Sequence, residues 1–337
     1  MVALRAPPRR PPPAAAASGQ LPGRRRTVRG SAVNQGFGRR VLLAGAVAVP
    51  LAGCANAPAR VAPVTTAPSR PAPPSTTRAS TAPLEALERE YGARLGVHAL
   101  DTGSGAVVEY RAGERFAFCS TFKTFAVAAV LHRRPLSYLD STIRYPKADV
   151  NSVSPITEHH TSMTVRALCD AAIRYSDGTA GNLLMRDAGG PPGLTAYLRT
   201  LGDDVSRMDQ YEPDLNRDRP DDPRDTTTPR ALAADHQRVV LGDALPADRR
   251  ALVEDWLSRS TTGGQTIEAG VPATWRVIGK TGHGDYGRVN DVAVLRPPGS
   301  APLVLAILSD RQSYDDPPRY PLIAEAAAYV VSVLRRG

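Results

Sequence analysis

From residue 84 to residue 337, segments with strand character stand at the two ends and segments with helical character fill the middle, an order that few folds accommodate. Leu84, Leu87 and Tyr91 recur at helical spacing. β-favouring stretches at 95–100 and 106–110 follow, parted by the Gly-rich turn Asp101-Thr102-Gly103-Ser104-Gly105. From Thr121 to about Arg259 the apolar periodicity is mostly helical, with Pro-rich and Asp-rich breaks near 211–229. Strand patterns return at 275–278, 289–295 and 303–308, and 322–334 reads as a closing helix. The pattern predicts an α+β fold. A sandwich lobe, about 84–117 and 260–337, carries an antiparallel sheet covered by the terminal helices, and an all-α lobe, about 118–259, is inserted into it. The cleft between two such lobes is the natural place for an active site.

The formal charge of +9 suggests a nucleic-acid binder until the charges are placed along the chain. Twelve of the 42 basic residues, all arginines, and none of the 33 acidic ones precede residue 84, which leaves 30 basic against 33 acidic, a net of −3. A mildly acidic domain has no phosphate-binding footprint, so nucleic acid is not expected as a partner. Arg39-Arg40 followed by a short apolar run and Leu51-Ala52-Gly53-Cys54 reads as an export signal. The run is shorter than the roughly 20 residues a bilayer span needs. Its end resembles a lipobox, which makes Cys54 the lipidated residue and the new N-terminus, and its arginine pair resembles a twin-arginine signal. An ordinary cleaved signal with an incidental cysteine is the alternative. Residues 1–53 are therefore taken as N-terminal extension and lipoprotein signal, with the start codon left open by the Pro-, Arg- and Ala-rich 1–32. Residues 54–83, rich in Ala, Pro, Thr and Ser, cannot bury a core and read as a tether. The expected location is the cell envelope, anchored by lipid to the outer face of the cytoplasmic membrane, or the medium after release.

Three short motifs carry chemistry. Ser120-Thr121-Phe122-Lys123 opens an apolar helix, so Ser120 and Lys123 share one face a turn apart. The amine then reaches the hydroxyl and can take its proton if burial disfavours its charge, while the helix N-terminus favours negative charge near Ser120. A helix cap with a surface lysine explains the same four residues. The chain has only three lysines, Lys123, Lys147 and Lys280, against 39 arginines, and an amine does what a guanidinium cannot: it gives up its proton. Ser176-Asp177-Gly178 follows a helical stretch and, alone, is an ordinary helix-ending turn. Lys280-Thr281-Gly282 ends a β-like segment, where a cation, a hydroxyl and a bare backbone edge suit an anionic carbonyl compound.

The order and spacing of the three are more informative than any one. Ser176 lies 56 residues after Ser120, and Lys280 lies 104 residues after Ser176. In this the chain resembles the class A serine β-lactamases, within the superfamily they share with penicillin-binding proteins, over about 84–337. Glu212-Pro213-Asp214-Leu215-Asn216 is similar to that family's Glu-x-x-Leu-Asn, a motif that acylated transpeptidases lack. The resemblance implies hydrolysis of the β-lactam amide and resistance to such drugs. It makes Ser120 the nucleophile, with Lys123, or Glu212 acting through a water, as its base, and makes the backbone N–H groups of Ser120 and His283 the oxyanion hole. It gives Ser176 a proton relay to the leaving nitrogen and gives Glu212 and Asn216 the deacylating water. Gly178, Lys280, Thr281, Gly282 and His283 would line the substrate, with Thr281 on its carboxylate. It implies a monomer, a small-molecule β-lactam as the partner, membrane contact through the lipid anchor alone, and no cofactor or metal. The six histidines have no zinc-ligand spacing. The rival readings are a D-alanyl-D-alanine transpeptidase or carboxypeptidase, which the Glu212 motif opposes, and an inactive β-lactam-sensing lipoprotein.

The chain departs from the family at several places. Gly178 stands where an Asn is usual, which removes a side-chain contact to the substrate. Gln210 stands where an Arg is usual, which removes its ion pair to Asp225 and leaves either Arg207 as a substitute or a looser loop. No Arg matches the one that commonly binds the substrate carboxylate; Val289, Thr266 and Tyr320 occupy the places to search. Cys119 and Cys169 could pair after export, though two buried thiols satisfy the pattern as well, and Cys119 by itself does not imply carbapenem hydrolysis.

Overall fold

The structure, a computed structural model, describes residues 80–335. The export signal, Cys54 and almost all of the tether lie outside the described residues. The first half contains α1 (Ala82–Tyr91), β1 (Arg94–Asp101), β2 (Val107–Tyr110), β3 (Phe116–Ala117), α2 (Phe122–Arg133), β4 (Thr142–Arg144), β5 (Ser162–Thr164), α3 (Val165–Arg174), α4 (Gly178–Asp187) and α5 (Gly190–Thr200). The second contains β6 (Thr226–Thr227), α6 (Pro229–Val240), α7 (Ala247–Ser258), β7 (Arg276–Gly284), β8 (Arg288–Arg296), β9 (Leu303–Asp310) and α8 (Tyr320–Leu334).

Local chemistry starts the helices. Thr164, Asp177 and Thr228 cap α3, α4 and α6, each side-chain oxygen accepting the N–H of the third residue onward, Ala167, Ala180 or Ala231. Proline occupies the first turn of α1, α5, α6 and α8, where its missing N–H would have had no helical partner.

The main sheet has the order β2-β1-β9-β8-β7 with every neighbouring pair antiparallel. β1 from the start of the domain pairs with β9 from its end, Gly96 opposite Leu308 and Ala99 opposite Leu305, which closes the sheet around the helical insertion. Side chains alternate between two cores with the period of a strand. Leu303, Leu305 and Ile307 of β9 pack with Leu84 of α1 and with Leu322, Ile323 and Val330 of α8. Val304, Ala306 and Leu308 face the other way, into the core formed with Phe116 and Leu232 and the middle helices. The α+β class and the cover of terminal helices are as expected.

Two details differ from the sequence-based expectation. The middle is not purely helical: β4 pairs with β5, β3 pairs with β6, and besides β4 the chain between α2 and β5 holds short 3-10 turns. Pro135 and Pro146 start two of those turns and bar a continuous helix. β7 also runs on to Gly284, past the apolar stretch that ends at Ile278. Its polar second half has no apolar alternation of its own and is ordered by pairing, Lys280 opposite Val292 and Thr281 opposite Asp291. Cys119 and Cys169 are both buried and unpaired; burial pushes the Cys119 thiol up to about 12 and the Cys169 thiol higher still.

Candidate active site

The short turn Cys119–Thr121 feeds directly into α2 and sets Ser120 at the helix entrance. Cys119 has φ of 46°, in the left-handed region, a strained conformation for a non-glycine residue right before the serine. Lys123, one turn on, has no exposed side-chain surface. Lys123 Nζ donates to Ser120 Oγ at 2.8 Å and to the Ser176 carbonyl oxygen at 2.6 Å, and it forms an ion pair with Glu212 Oε2 at 3.0 Å. The Ser120 hydroxyl in turn donates to Glu212 Oε1 at 2.8 Å. Glu212 comes from a loop 92 residues away, and Asn182 of α4 holds its backbone at both ends. Asn182 Nδ2 donates to the Glu212 carbonyl oxygen at 2.7 Å, and the Glu212 N–H donates to Asn182 Oδ1 at 2.9 Å.

A second lysine meets the same corner from the sheet. Lys280 Nζ donates to Ser176 Oγ at 3.0 Å and to the Thr281 carbonyl oxygen at 2.8 Å. Its own burial, then the positive charge of Lys123, push its pKa down to about 7. Ser176 is itself left-handed, with φ of 56°, which turns its carbonyl toward Lys123 while its hydroxyl meets Lys280. Asp177 acts on the backbone instead. Besides capping α4 it accepts from the Ile156 and Thr157 N–H groups and the Thr157 hydroxyl, all between 2.8 and 2.9 Å. Thr281 Oγ1 lies 2.6 Å from Thr262 Oγ1, a hydroxyl pair beside Lys280. Gly282 permits the approach of β7 to the turn, because a Cβ there would lie 2.9 Å from Cys119 Cβ and 3.0 Å from the Ser120 nitrogen. The His283 ring stands edge-on to Tyr320, centroids 5.3 Å apart; burial and then Lys280 lower its pKa to about 4, so it is neutral at pH 7.

Ser120, Lys123, Ser176, Glu212 and Lys280 thus form one hydrogen-bonded network with Thr281 at its edge. The side chains of Asn216 and His283 do not join it: among the described residues, Asn216 Oδ1 and His283 Nε2 are buried without a partner. Asn216 is placed by its backbone, whose carbonyl oxygen accepts from Arg288 at 2.9 Å. Two residues of the site, Asn182 and Thr262, are not marked by any sequence motif. Asn182 has a faint signal, one turn after Gly178 on the helix that Asp177 caps; Thr262 has none.

The departures have structural answers. A side chain at residue 178 would require the Asn151 and Glu212 side chains to shift, since a Cβ there would lie 2.5 Å from Glu212 Oε2 and from Asn151 Nδ2. Arg207 does not replace the lost ion pair, because it pairs with Asp209 at 2.8 Å. Gln210 takes the place of that ion pair, its Nε2 bridging Asp218 and Asp225, the latter at 3.0 Å, while the Asp209 and Gln210 N–H groups also donate to Asp225. Of the places searched for a carboxylate partner, Val289 is buried in the sheet and Thr266 donates to Asp291, so neither presents a cation or a free hydroxyl.

Residues 80–334 match the family described as the β-lactamase enzyme family. The chain belongs to that family. The β-lactamase of Mycobacterium tuberculosis is 54% identical over 310 residues, 89% of this chain and 99% of the relative. β-Lactamase FAR-1 of Nocardia farcinica is 52% identical over 302 residues, 88% of this chain and 96% of the relative. Among solved structures, a class A β-lactamase from Clostridium kluyveri is 42% identical with a TM-score of 0.74, covering 75% of this chain and 98% of that one. The β-lactamase of Desulfarculus baarsii is 46% identical with a TM-score of 0.74, covering 76% and 97%. This β-lactamase is a class A serine enzyme of mixed α+β fold.

Proposed function

We propose that this enzyme hydrolyses the β-lactam amide through an acyl-enzyme on Ser120, with Glu212 as the base in both half-reactions, and so confers resistance. The observation that carries this reading is the direction of the hydrogen bonds on Ser120. Lys123 Nζ donates to Ser120 Oγ and to the Ser176 carbonyl oxygen and is ion-paired with Glu212, and the Ser120 hydroxyl donates to Glu212 Oε1 at 2.8 Å. In acylation the Ser120 proton passes to Glu212, Oγ bonds to the lactam carbonyl carbon, and the ring C–N bond breaks. The nitrogen takes a proton from Ser176, which Lys280 at 3.0 Å replaces. Solvent re-protonates Lys280, and Glu212 sheds its proton to solvent. In deacylation a water gives a proton to Glu212 while its oxygen bonds to the acyl carbon; the ester C–O bond breaks and Ser120 recovers the proton. The Ser120 and His283 N–H groups hold the oxyanion, Asn216 Oδ1 accepts from the water, and Thr281 with Thr262 and Lys280 takes the substrate carboxylate.

The catalytic domain acts at the cell envelope as a monomer, exported by the signal in 1–53, lipidated on Cys54 and tethered by 54–83; the basic, apolar and Cys-terminated run supports this. Incubation with a chromogenic cephalosporin tests the chemistry. Steady turnover is expected, whereas a single stoichiometric burst would mark a transpeptidase and silence an inactive sensor. Cys54→Ser is expected to move the protein from the membrane fraction to the soluble one; unchanged fractionation would refute the anchor.

A further inference from the structure

The carboxamide of Asn151 lies against Gly178, and half of it has no partner. Its Oδ1 accepts from the Val153 N–H at 3.0 Å and the Ser154 hydroxyl at 2.8 Å, two donors that fix which end of the group is oxygen. The Asn151 N–H donates to Thr179 Oγ1 at 2.9 Å, and the Ser154 and Thr179 hydroxyls lie 2.7 Å apart, so the segment is laced to the first turn of α4. Among the described residues, Nδ2 is buried with no acceptor. A Cβ built on Gly178 would lie 2.5 Å from Asn151 Nδ2 and 2.5 Å from Glu212 Oε2. The amide and the carboxylate oxygen therefore face each other across the space that a side chain at residue 178 would fill, separated by no more than twice that distance.

A buried donor without a partner is destabilising, and its persistence calls for a state that satisfies it. In the free enzyme the Glu212 carboxylate has two partners, the Ser120 hydroxyl, which donates to Oε1, and Lys123, which is ion-paired with Oε2. Acylation converts Ser120 Oγ to an ester oxygen and abolishes the first. We propose that Asn151 is a positioning residue for Glu212 in the acyl-enzyme: Nδ2 donates to Oε2 once the serine hydroxyl is gone, and this orients Oε1 toward the deacylating water. The inference rests on the role of Glu212 as the deacylating base. The charged groups facing Glu212 are Lys123 from α2 and Lys280 from β7. Asp177, at the head of α4, is turned to Ile156, Thr157 and Ala180.

Two variants separate positioning from mere support of the loop. Asn151→Asp keeps an acceptor for Val153 and Ser154 and replaces the donor with an oxygen; Asn151→Ala removes both. With benzylpenicillin, the pH profile of kcat and the acyl-enzyme fraction trapped by rapid quench and mass spectrometry are measured for each. Losing the donor disfavours the ionised carboxylate, so the acid limb of kcat is expected to move up by about one pH unit in Asn151→Ala and further in Asn151→Asp. The kcat is expected to fall about tenfold with acyl-enzyme accumulating on Ser120. An acid limb that stays at the wild-type pH in either variant overturns the proposal, whatever the rate does. Wild-type protein that is folded yet fails to hydrolyse benzylpenicillin would instead refute the reading of the site itself.

Discussion

Glu212→Ala removes the carboxylate that stands 2.8 Å from the Ser120 hydroxyl and 3.0 Å from the Lys123 amine. Loss of a general base lowers a rate by about 10²–10⁴, but the two half-reactions do not suffer alike. Lys123 keeps Ser120 Oγ at 2.8 Å and the Ser176 carbonyl at 2.6 Å, so an amine within hydrogen-bond reach of the hydroxyl remains to assist acylation. Among the described residues, no second carboxylate belongs to the network around Ser120 to serve the water. Deacylation therefore takes the full loss, about 10³ in kcat or ~4 kcal/mol of barrier. Breaking a buried ion pair by removing one partner costs about 3–5 kcal/mol of stability. The two acceptors left to Lys123 place this case near the lower end, with Tm lower by ~6–12 °C. The assay mixes the variant with benzylpenicillin, quenches, and reads intact mass and then the peptide containing Ser120. One substrate-mass adduct per chain on that peptide is expected, with kcat down by about a thousandfold. A folded variant that turns over within tenfold of wild type, or that is inactive yet carries no adduct, would refute the assignment of Glu212.

Lys280, with its pKa lowered to about 7, is charged below that pH and loses its charge as pH rises through it. The kcat/KM for a penicillin is therefore expected to fall through the neutral range on the alkaline side, and Lys280→Arg, which stays charged, to flatten that limb; a wild-type profile level from pH 6 to 9 would count against it. Asp235 is buried with both carboxyl oxygens unpaired, and burial and then the Asp203 carboxylate raise its pKa to about 9. The folded state thus holds a proton that the unfolded chain releases near its ordinary value of 3.8, so this group's contribution is present at low pH and lost as pH rises toward 9. Asp235→Asn is expected to raise Tm by several degrees at pH 8.5 and by little at pH 4, as read by scanning calorimetry; parallel pH profiles for the two proteins would show that Asp235 is not the cause.

What could be read from the sequence by itself was local. Helical spacing put Lys123 one turn after Ser120, and although Ser120 lies in the 3-10 turn that precedes α2, the amine does sit 2.8 Å from the hydroxyl. The Ser176 and Lys280 motifs, each weak alone, were informative as an ordered set because the chemistry needs all of them. Strand patterns at both ends foretold a sheet closed around an insertion, since only pairing of β1 with β9 buries both apolar faces. Tertiary structure alone decided the rest. It brought Glu212 to Ser120, clamped Glu212 with Asn182, set Thr262 beside Thr281, and left Gln210 rather than Arg207 to hold Asp225. It left Cys119 and Cys169 apart. It also filled the space over Gly178 with the carboxamide of Asn151, a residue with no motif around it. Periodicity and capping act over a few neighbours, whereas these contacts join residues on separate elements whose approach is set by how two lobes pack. That packing energy is summed over both cores and written at no single position.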